Sequence, residues 1–399
     1  MSVGSAHSFD RSVEEASQTL SQVRGMRDEF VSFLSRLASL ESPTDHPDSQ
    51  APVQRMLGAA LEDLGYHVRI IPGRGTGGHL YARPARRAHG APAQMLVGHT
   101  DTVWPIGTLE QMPVKVIEGR LHGPGTLDMK GGLTQIIFAL RALRELGLEP
   151  AATPVVFINS DEEVGSPDSK RYVRQLARRA CRAFVLEPAL GADARIKTAR
   201  KGIGRFEVTI HGRASHAGLN PEAGASAIVE LSHVIQALHT LNDPARGTTV
   251  NVGVIDGGIR PNVVAARARA SVDVRVRTME DARAVERAVG GLRPVTPGVE
   301  LEITGGVPVP PMERTPRNRA LWAAASSAGR RLGFELEEGM AGGGSDGNTT
   351  SQYTATLDGL GCVGDGAHAE HEHIEIDRSV DRCALLAQLL RVPPDAMAP

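Results

Sequence analysis

The chain has 399 residues, 41% of them hydrophobic and 23% charged, with 44 Lys and Arg against 46 Asp and Glu for a formal net charge of −2. That length exceeds the roughly 250 to 300 residues at which one hydrophobic core stops growing, so two domains are expected. The balanced charge argues against a nucleic-acid or membrane-surface partner, and no run of about 18 apolar residues is present to span a bilayer. Cys181, Cys362 and Cys383 show no paired spacing, and the first residues carry no apolar segment of signal-peptide type. A reducing, cytoplasmic setting without a disulfide framework is therefore expected.

After a short polar leader, Met26, Phe30, Phe33, Leu34 and Leu37 recur at helical spacing, as do Val53, Met56, Leu57, Ala60, Leu61 and Leu64 ahead of Gly65. Between these two helices, residues 41–45 read as a turn-rich connector that could border a pocket. Strands are predicted at 67–71, around Leu80 and at 95–97. The last of these leaves His99 and Asp101 where a buried strand ends. Residues two apart in a strand project to the same side, so the Asp101 carboxylate can reach and orient the His99 imidazole.

A helix follows from Leu133 through Ile136, Ile137, Leu140 and Leu143, closed by Gly147. Strand 154–158 runs into Asn159-Ser160-Asp161-Glu162-Glu163, and strand 183–186 into Glu187-Pro188. Ligands of open α/β sheets bind beyond the carboxyl ends of strands, so His99, Glu162, Glu163 and Glu187 are predicted to converge. From Gly202 the pattern changes to strand 203–211, helix 223–241, strands 249–255 and 267–276, helix 280–290 and strand 299–303. That is βαββαβ, a ferredoxin-like split unit with its own core. The Pro308-Val309-Pro310-Pro311 tract returns the chain to the first domain. A helix near 321–332, the Gly-rich run 342–347, Gly364-Asp365-Gly366-Ala367-His368, a helix from about 380 to 390 and a frayed tail complete the chain.

Hydrolysis of an amide needs a nucleophile and stabilisation of the developing oxyanion, both of which a pair of Zn²⁺ ions about 4 Å apart can supply. Such a pair requires a bridging carboxylate, terminal ligands on each ion and a base. His99, Asp128, Glu163, Glu187 and a late histidine are candidate ligands, with Glu162 as candidate base.

These residues lie in tracts that resemble the co-catalytic di-zinc exopeptidases related to glutamate carboxypeptidase, aminoacylase, acetylornithine deacetylase and succinyl-diaminopimelate desuccinylase. The tracts are residues 98–104, 123–132, Asp161-Glu162-Glu163-Val164-Gly165-Ser166, Leu186-Glu187-Pro188, Gly212-Arg213-Ala214-Ser215-His216-Ala217-Gly218, Gly344-Ser345-Asp346 and Gly366-Ala367-His368, in the family's order. The resemblance implies an α/β, zinc-peptidase-like catalytic domain, with a central mixed sheet flanked by helices, formed by residues 1–200 and 312–399. Residues 201–311 would be an inserted lid and dimerisation domain of ferredoxin-like βαββαβ topology. It makes Asp128 the bridging ligand, puts His99 and Glu187 on one zinc and Glu163 and His368 on the other, and makes Glu162 the general base. Asp101 would hold the His99 imidazole. In the family the late histidine ligand directly follows a Gly-rich turn and precedes an acidic residue by four positions, so the resemblance selects His368, with Glu372, and implies that His371 and His373 are surface residues. His216 would stabilise the oxyanion in a partner subunit's site.

The resemblance further implies two Zn²⁺ per subunit, replaceable by Co²⁺ or Mn²⁺, a homodimer joined through the lid, and a small-molecule or peptide substrate with a free carboxylate. Arg275 and Asn262 are expected to meet that carboxylate, and Arg195 a glutamate-like side chain. The 104–109 tract, Trp-Pro-Ile-Gly-Thr-Leu, points to the glutamate carboxypeptidase branch, which releases a C-terminal amino acid. The alternatives are an N-acyl-amino-acid deacylase or dipeptidase, or an amide-forming or non-hydrolytic binding homologue. One departure is Val309, where many relatives carry an arginine ahead of Pro-Pro-Met.

Overall fold

The structure, a computed structural model, describes residues 3–87 and 90–394. The expected frayed tail falls on residues 395–399, outside the described residues. The chain divides into two compact units. One runs to Thr198 and takes in Arg314–Met340 and the chain from Ser345; the other comprises Ala199–Glu313 with Ala341–Gly344.

The first unit is organised on a six-stranded sheet in the order Tyr66–Ile71, His79–Pro84, Thr153–Asn159, Ala93–His99, Ala180–Val185, Ala355–Leu357. The first two pairings are antiparallel and the remaining three parallel. The inner strands read as continuous apolar runs because both faces are covered. Leu96, Val156, Ile158 and Phe184 point into the larger core, whereas Met95, Val97, Phe157 and Val185 point into a second one on the opposite face. Helices Gly131–Glu145 and Ile376–Arg391 pack in the larger core. The former ends at Gly147, whose φ of 63° allows Leu148 N to donate to Leu143 O at 2.8 Å.

The polar leader is in fact the helix Val3–Gly25. Ala16, Leu20 and Val23 form a narrow apolar stripe at spacings of four and three, enough to dock the helix although the rest of its surface is polar. Thr19 Oγ1 accepts from Gln388 Nε2 of helix Ile376–Arg391 at 2.9 Å, fixing the register.

In the second unit, strands Thr249–Gly257, Arg267–Val276, Gly202–His211 and Glu300–Val309 lie in that order and are antiparallel throughout. Alternate residues Phe206, Val208, Ile210, Ala268, Ala270, Val272 and Val274 share a core with Leu231, Val234, Leu238, Val285 and Val289 of helices Ala227–His239 and Met279–Gly290. The topology is βαββαβ. The first helix begins at Ala227 rather than 223 because Gly224 is extended and Ser226 caps the helix, accepting from Val229 N. Val254 and Ile255 on edge strand Thr249–Gly257 are exposed.

Candidate metal centre

Register brings the site together. His99 pairs with Asn159 and Val97 with Val185, so the loops after three parallel strands begin side by side. Past Val185 the chain is squeezed between two glycines: a Cβ at Gly132 would overlap the Leu186 carbonyl oxygen, and a Cβ at Gly361 would overlap the carbonyls of both Leu186 and Glu187. Gly361 N also donates to Glu187 O at 2.9 Å. This close approach seats Glu187 beside His99.

Asp128 lies between two imidazoles. Its Oδ1 is 3.2 Å from His99 Nε2 and its Oδ2 is 3.5 Å from His368 Nε2. Beyond them, Glu187 Oε1 is 3.5 Å from His99 Nε2 and Glu163 Oε2 is 3.2 Å from His368 Nε2. Potential ligand atoms of His99, Asp128 and Glu163 lie within 4.8 Å of one another, as do those of His99, Glu162 and Glu187. His99 is 1% exposed, whereas the His368 side chain is 51% exposed and marks the open side.

The electrostatics show how strongly this cluster demands positive charge. Burial alone would push the His99 imidazole down, but its bonds with Asp101, Asp128 and Glu187 hold it well above the usual histidine range. His368 is raised to about 10 by Asp128 and Glu163. Burial opposes ionisation of Asp128, yet the two histidines hold its carboxyl below the ordinary range. Glu162 is pushed well above the usual glutamate value, first by burial and then by the charge of Glu187. Divalent cations would meet the same demand, and the donor set of imidazole nitrogens and carboxylate oxygens suits zinc. Glu163 Oε1 supports that fit, being buried without a hydrogen-bond partner.

The Asp101 carboxylate does more than orient His99. His99 Nδ1 lies 2.8 Å from the Asp101 backbone carbonyl oxygen and 3.5 Å from its carboxylate. The carboxylate also accepts from Thr44 Oγ1 at 2.9 Å, Glu162 N at 3.2 Å and Glu163 N at 3.1 Å. The supposed connector at 41–45 is thus part of the support: Thr102 N donates to Ser42 O, and Glu41 accepts from Gly107 N and Leu109 N.

Two further buried carboxylates brace the site. Asp346 accepts from Asn159 Nδ2 at 2.6 Å and Ser166 Oγ at 2.9 Å, clamping the turn that carries Glu162 and Glu163; burial raises it to about 7. Glu372 accepts from Trp104 Nε1 and from the backbone of Gly125, Leu127 and Asp128. Recurrence of the Gly344-Ser345-Asp346 tract and the four-residue offset from His368 were the only sequence signals for these two. His371 is exposed as expected, but His373 is 8% exposed and lies in strand His373–Glu375, opposite His122. Its Nδ1 is 2.9 Å from the His371 carbonyl oxygen, a local bond that the clustering of histidines concealed.

Of the remaining candidates, three lie in the second unit and one in the first. In the second unit, His216 is exposed and its Nδ1 accepts from Gly218 N at 3.2 Å and Leu219 N at 3.1 Å. A neutral ring therefore carries its proton on Nε2. Asn262 is exposed and its carbonyl accepts from Ala217 N. Arg275 shares a face with Asp273, as its place in the strand predicts, and forms a two-bond pair with that carboxylate at 2.9 and 3.0 Å. In the first unit, Arg195 lies in the turn closed on Leu190, and its Nε is buried without a hydrogen-bond partner.

Among the described residues, no helix is long and apolar enough to cross a membrane. Residues 95–392 match peptidase family M20/M25/M40. Carboxypeptidase G2 of Pseudomonas sp. (strain RS-16) is 29% identical over 375 residues, 90% of this chain and 88% of that protein. Acetylornithine deacetylase of Proteus mirabilis is 29% identical over 254 residues, 60% of this chain and 63% of that protein. Among solved structures, aminopeptidase PepT from Bacillus cereus shares the fold with a TM-score of 0.78 at 22% identity, covering 92% of this chain and 98% of that one. An M20 family metallo-carboxypeptidase from Sulfolobus solfataricus does so with 0.70 at 17% identity, covering 92% and 99%. The chain belongs to peptidase family M20/M25/M40 and is a hydrolase acting on C–N bonds.

Proposed function

We propose that the protein is a di-zinc carboxypeptidase that releases a C-terminal, glutamate-like amino acid from peptidyl or N-acyl substrates. The observation that carries this reading is the Asp128 carboxylate, turned with one oxygen to His99 and the other to His368. Asp128 would bridge two ions, His99 and Glu187 completing one site and Glu163 and His368 the other, with Co²⁺ or Mn²⁺ able to substitute. When bound, the ions would supply an activated water and polarise the scissile carbonyl. Glu162 would accept a proton from the attacking water and deliver it to the leaving amine. A carboxylate oxygen of Glu162 lies within 4.8 Å of potential ligand atoms of His99 and Glu187, the reach that this role requires.

His216 donates from Nε2 to the oxyanion of a second copy's substrate, its other nitrogen being occupied by two backbone N–H groups. This role requires a homodimer. The exposed Val254 and Ile255 on an unpaired edge strand of the second unit support one, since such an edge is a template for pairing. In this reading residues 201–311 are the lid and dimerisation part, and residues 1–200 and 312–399 the catalytic part. Arg275 and Asn262 hold the substrate's free carboxylate. Arg195 holds the glutamate side chain, a role that its unpartnered Nε supports.

The test is a hydrolysis screen of N-acyl and N-aminoacyl amino acids with zinc-loaded protein, each paired with the same compound amidated at its carboxylate. Fastest release of glutamate, abolished by amidation, is expected. Equal cleavage of acid and amide would rule out the exopeptidase reading. Preference for a short N-acyl group regardless of the amino acid would replace it with a deacylase.

A further inference from the structure

Glu372 is outside the proposed donor set, yet the residue is 1% exposed and its carboxylate gathers four N–H groups. Oε2 accepts from the Trp104 indole at 2.8 Å and Gly125 N at 2.9 Å, while Oε1 accepts from Leu127 N at 2.9 Å and Asp128 N at 3.0 Å. Its backbone adds two bonds, Gly123 N to Glu372 O at 3.2 Å and Glu372 N to Ala369 O at 2.9 Å. One residue therefore ties together the loop after His99, the turn that carries Asp128 and the loop that carries His368. Four N–H groups converging on one buried carboxylate leave this junction little freedom to move.

The two imidazoles depend on it unequally. His99 ends a strand of the central sheet and is held by ladder pairing and by the Asp101 carbonyl. His368 has no ladder. It sits at φ 62°, half exposed, in a turn fixed by Ala369 N to Gly366 O and by the Glu372 bond to Ala369.

We propose that Glu372 is the positioning residue for the Asp128–His368 pair, and that Trp104, bound to the same oxygen as Gly125, responds when that pair takes up its ion. Trp104 also lines a cavity of about 590 Å³ with Ile106, Met112 and Glu370, so the state of the pair reaches that wall. The inference rests on the two-metal reading above.

Metal-free full-length protein titrated with Co²⁺, followed by visible absorption and by tryptophan emission, tests it. The chain has only two tryptophans, Trp104 and Trp322, so Trp322→Phe isolates the relevant signal. Glu372→Gln is expected to bind the first ion as wild type does and the second about 10- to 100-fold more weakly, the range for loss of a group that orients a ligand. Emission should change with the second equivalent in wild type and not in Trp104→Phe. Folded Glu372→Gln protein that binds both ions with wild-type affinity, or loses both equally, overturns the proposal. Should that variant fail to fold, Trp104→Phe removes one of the four bonds, and unchanged affinity for the second ion there overturns it equally. Wild type that takes up one ion only would instead overturn the two-metal reading; Glu372 is then judged by that ion's affinity in the variant, and no change refutes it.

Discussion

Asp101→Asn separates two ways in which one residue can serve a metal site. Because the backbone carbonyl, which the substitution spares, faces His99 Nδ1, the variant should keep the imidazole in place. The carboxylate, however, accepts three bonds, two of them from the backbone of Glu162 and Glu163. An amide retains one acceptor oxygen. Placed at Oδ2 it still serves Thr44 and Glu163, but its NH₂ then confronts the N–H of Glu162. A hydrogen bond to a charged group contributes about 1.5–3 kcal/mol, and a buried donor left unmade costs about 1–3 kcal/mol, so the loss should be on the order of 2–3 kcal/mol. The assays are denaturant unfolding, metal content and kcat. Metal content should hold while the turn bearing Glu162 shifts and kcat falls about 10- to 100-fold. A variant as stable as wild type refutes the loop role. One that keeps its stability and loses metal assigns the carboxylate to His99 after all.

Glu162→Gln should retain both metals and lose about 10² to 10⁴ in kcat, because an amide cannot accept the water's proton; near wild-type turnover would place the base elsewhere. Mixing inactive Glu162→Gln with inactive His216→Ala should restore part of the activity through hybrid dimers, and no recovery despite demonstrated subunit exchange would confine His216 to its own chain. Asp346 gives a pH signature. Its folded pKa of about 7 lies above the ordinary 3.8, so the folded state keeps a proton that the unfolded chain has lost. Its contribution to stability is complete below the ordinary value and disappears as pH rises through about 7. Melting temperatures of metal-free Asp346→Asn should therefore fall less between pH 4 and 7 than those of wild type; parallel profiles would show that Asp346 is not the group responsible.

What could be read from the sequence follows the physics of each signal. Apolar runs such as 95–97 and 154–158 announce strands buried on both faces, and a ligand-type residue just past each run places it at a strand end. The βαββαβ unit was legible because its strands alternate and its helices carry apolar stripes. The supports were not. Glu372 and Asp101 act by accepting backbone N–H groups, and every residue type except proline offers one, so no pattern of side chains betrays which segments they join. The helix Val3–Gly25 was missed because Ala16, Leu20 and Val23 are too few to lift the apolar signal above a charged background.

Arg200 and Met312 exchange two backbone hydrogen bonds, each 3.0 Å long. The second unit therefore leaves and returns through one doorway, and closing that doorway costs the first unit little more entropy than a short loop would. Order of synthesis gives the arrangement a further meaning. His99, Asp128, Glu162, Glu163 and Glu187 are all translated before the second unit, whereas the sixth sheet strand Ala355–Leu357 and His368 come after it. Domains fold largely as units while the chain emerges. The inserted unit can therefore be finished while the host sheet still lacks its last strand and the proposed centre its last histidine. The half of the donor set around His99 is complete early in synthesis, and the half around His368 only near the end of the chain.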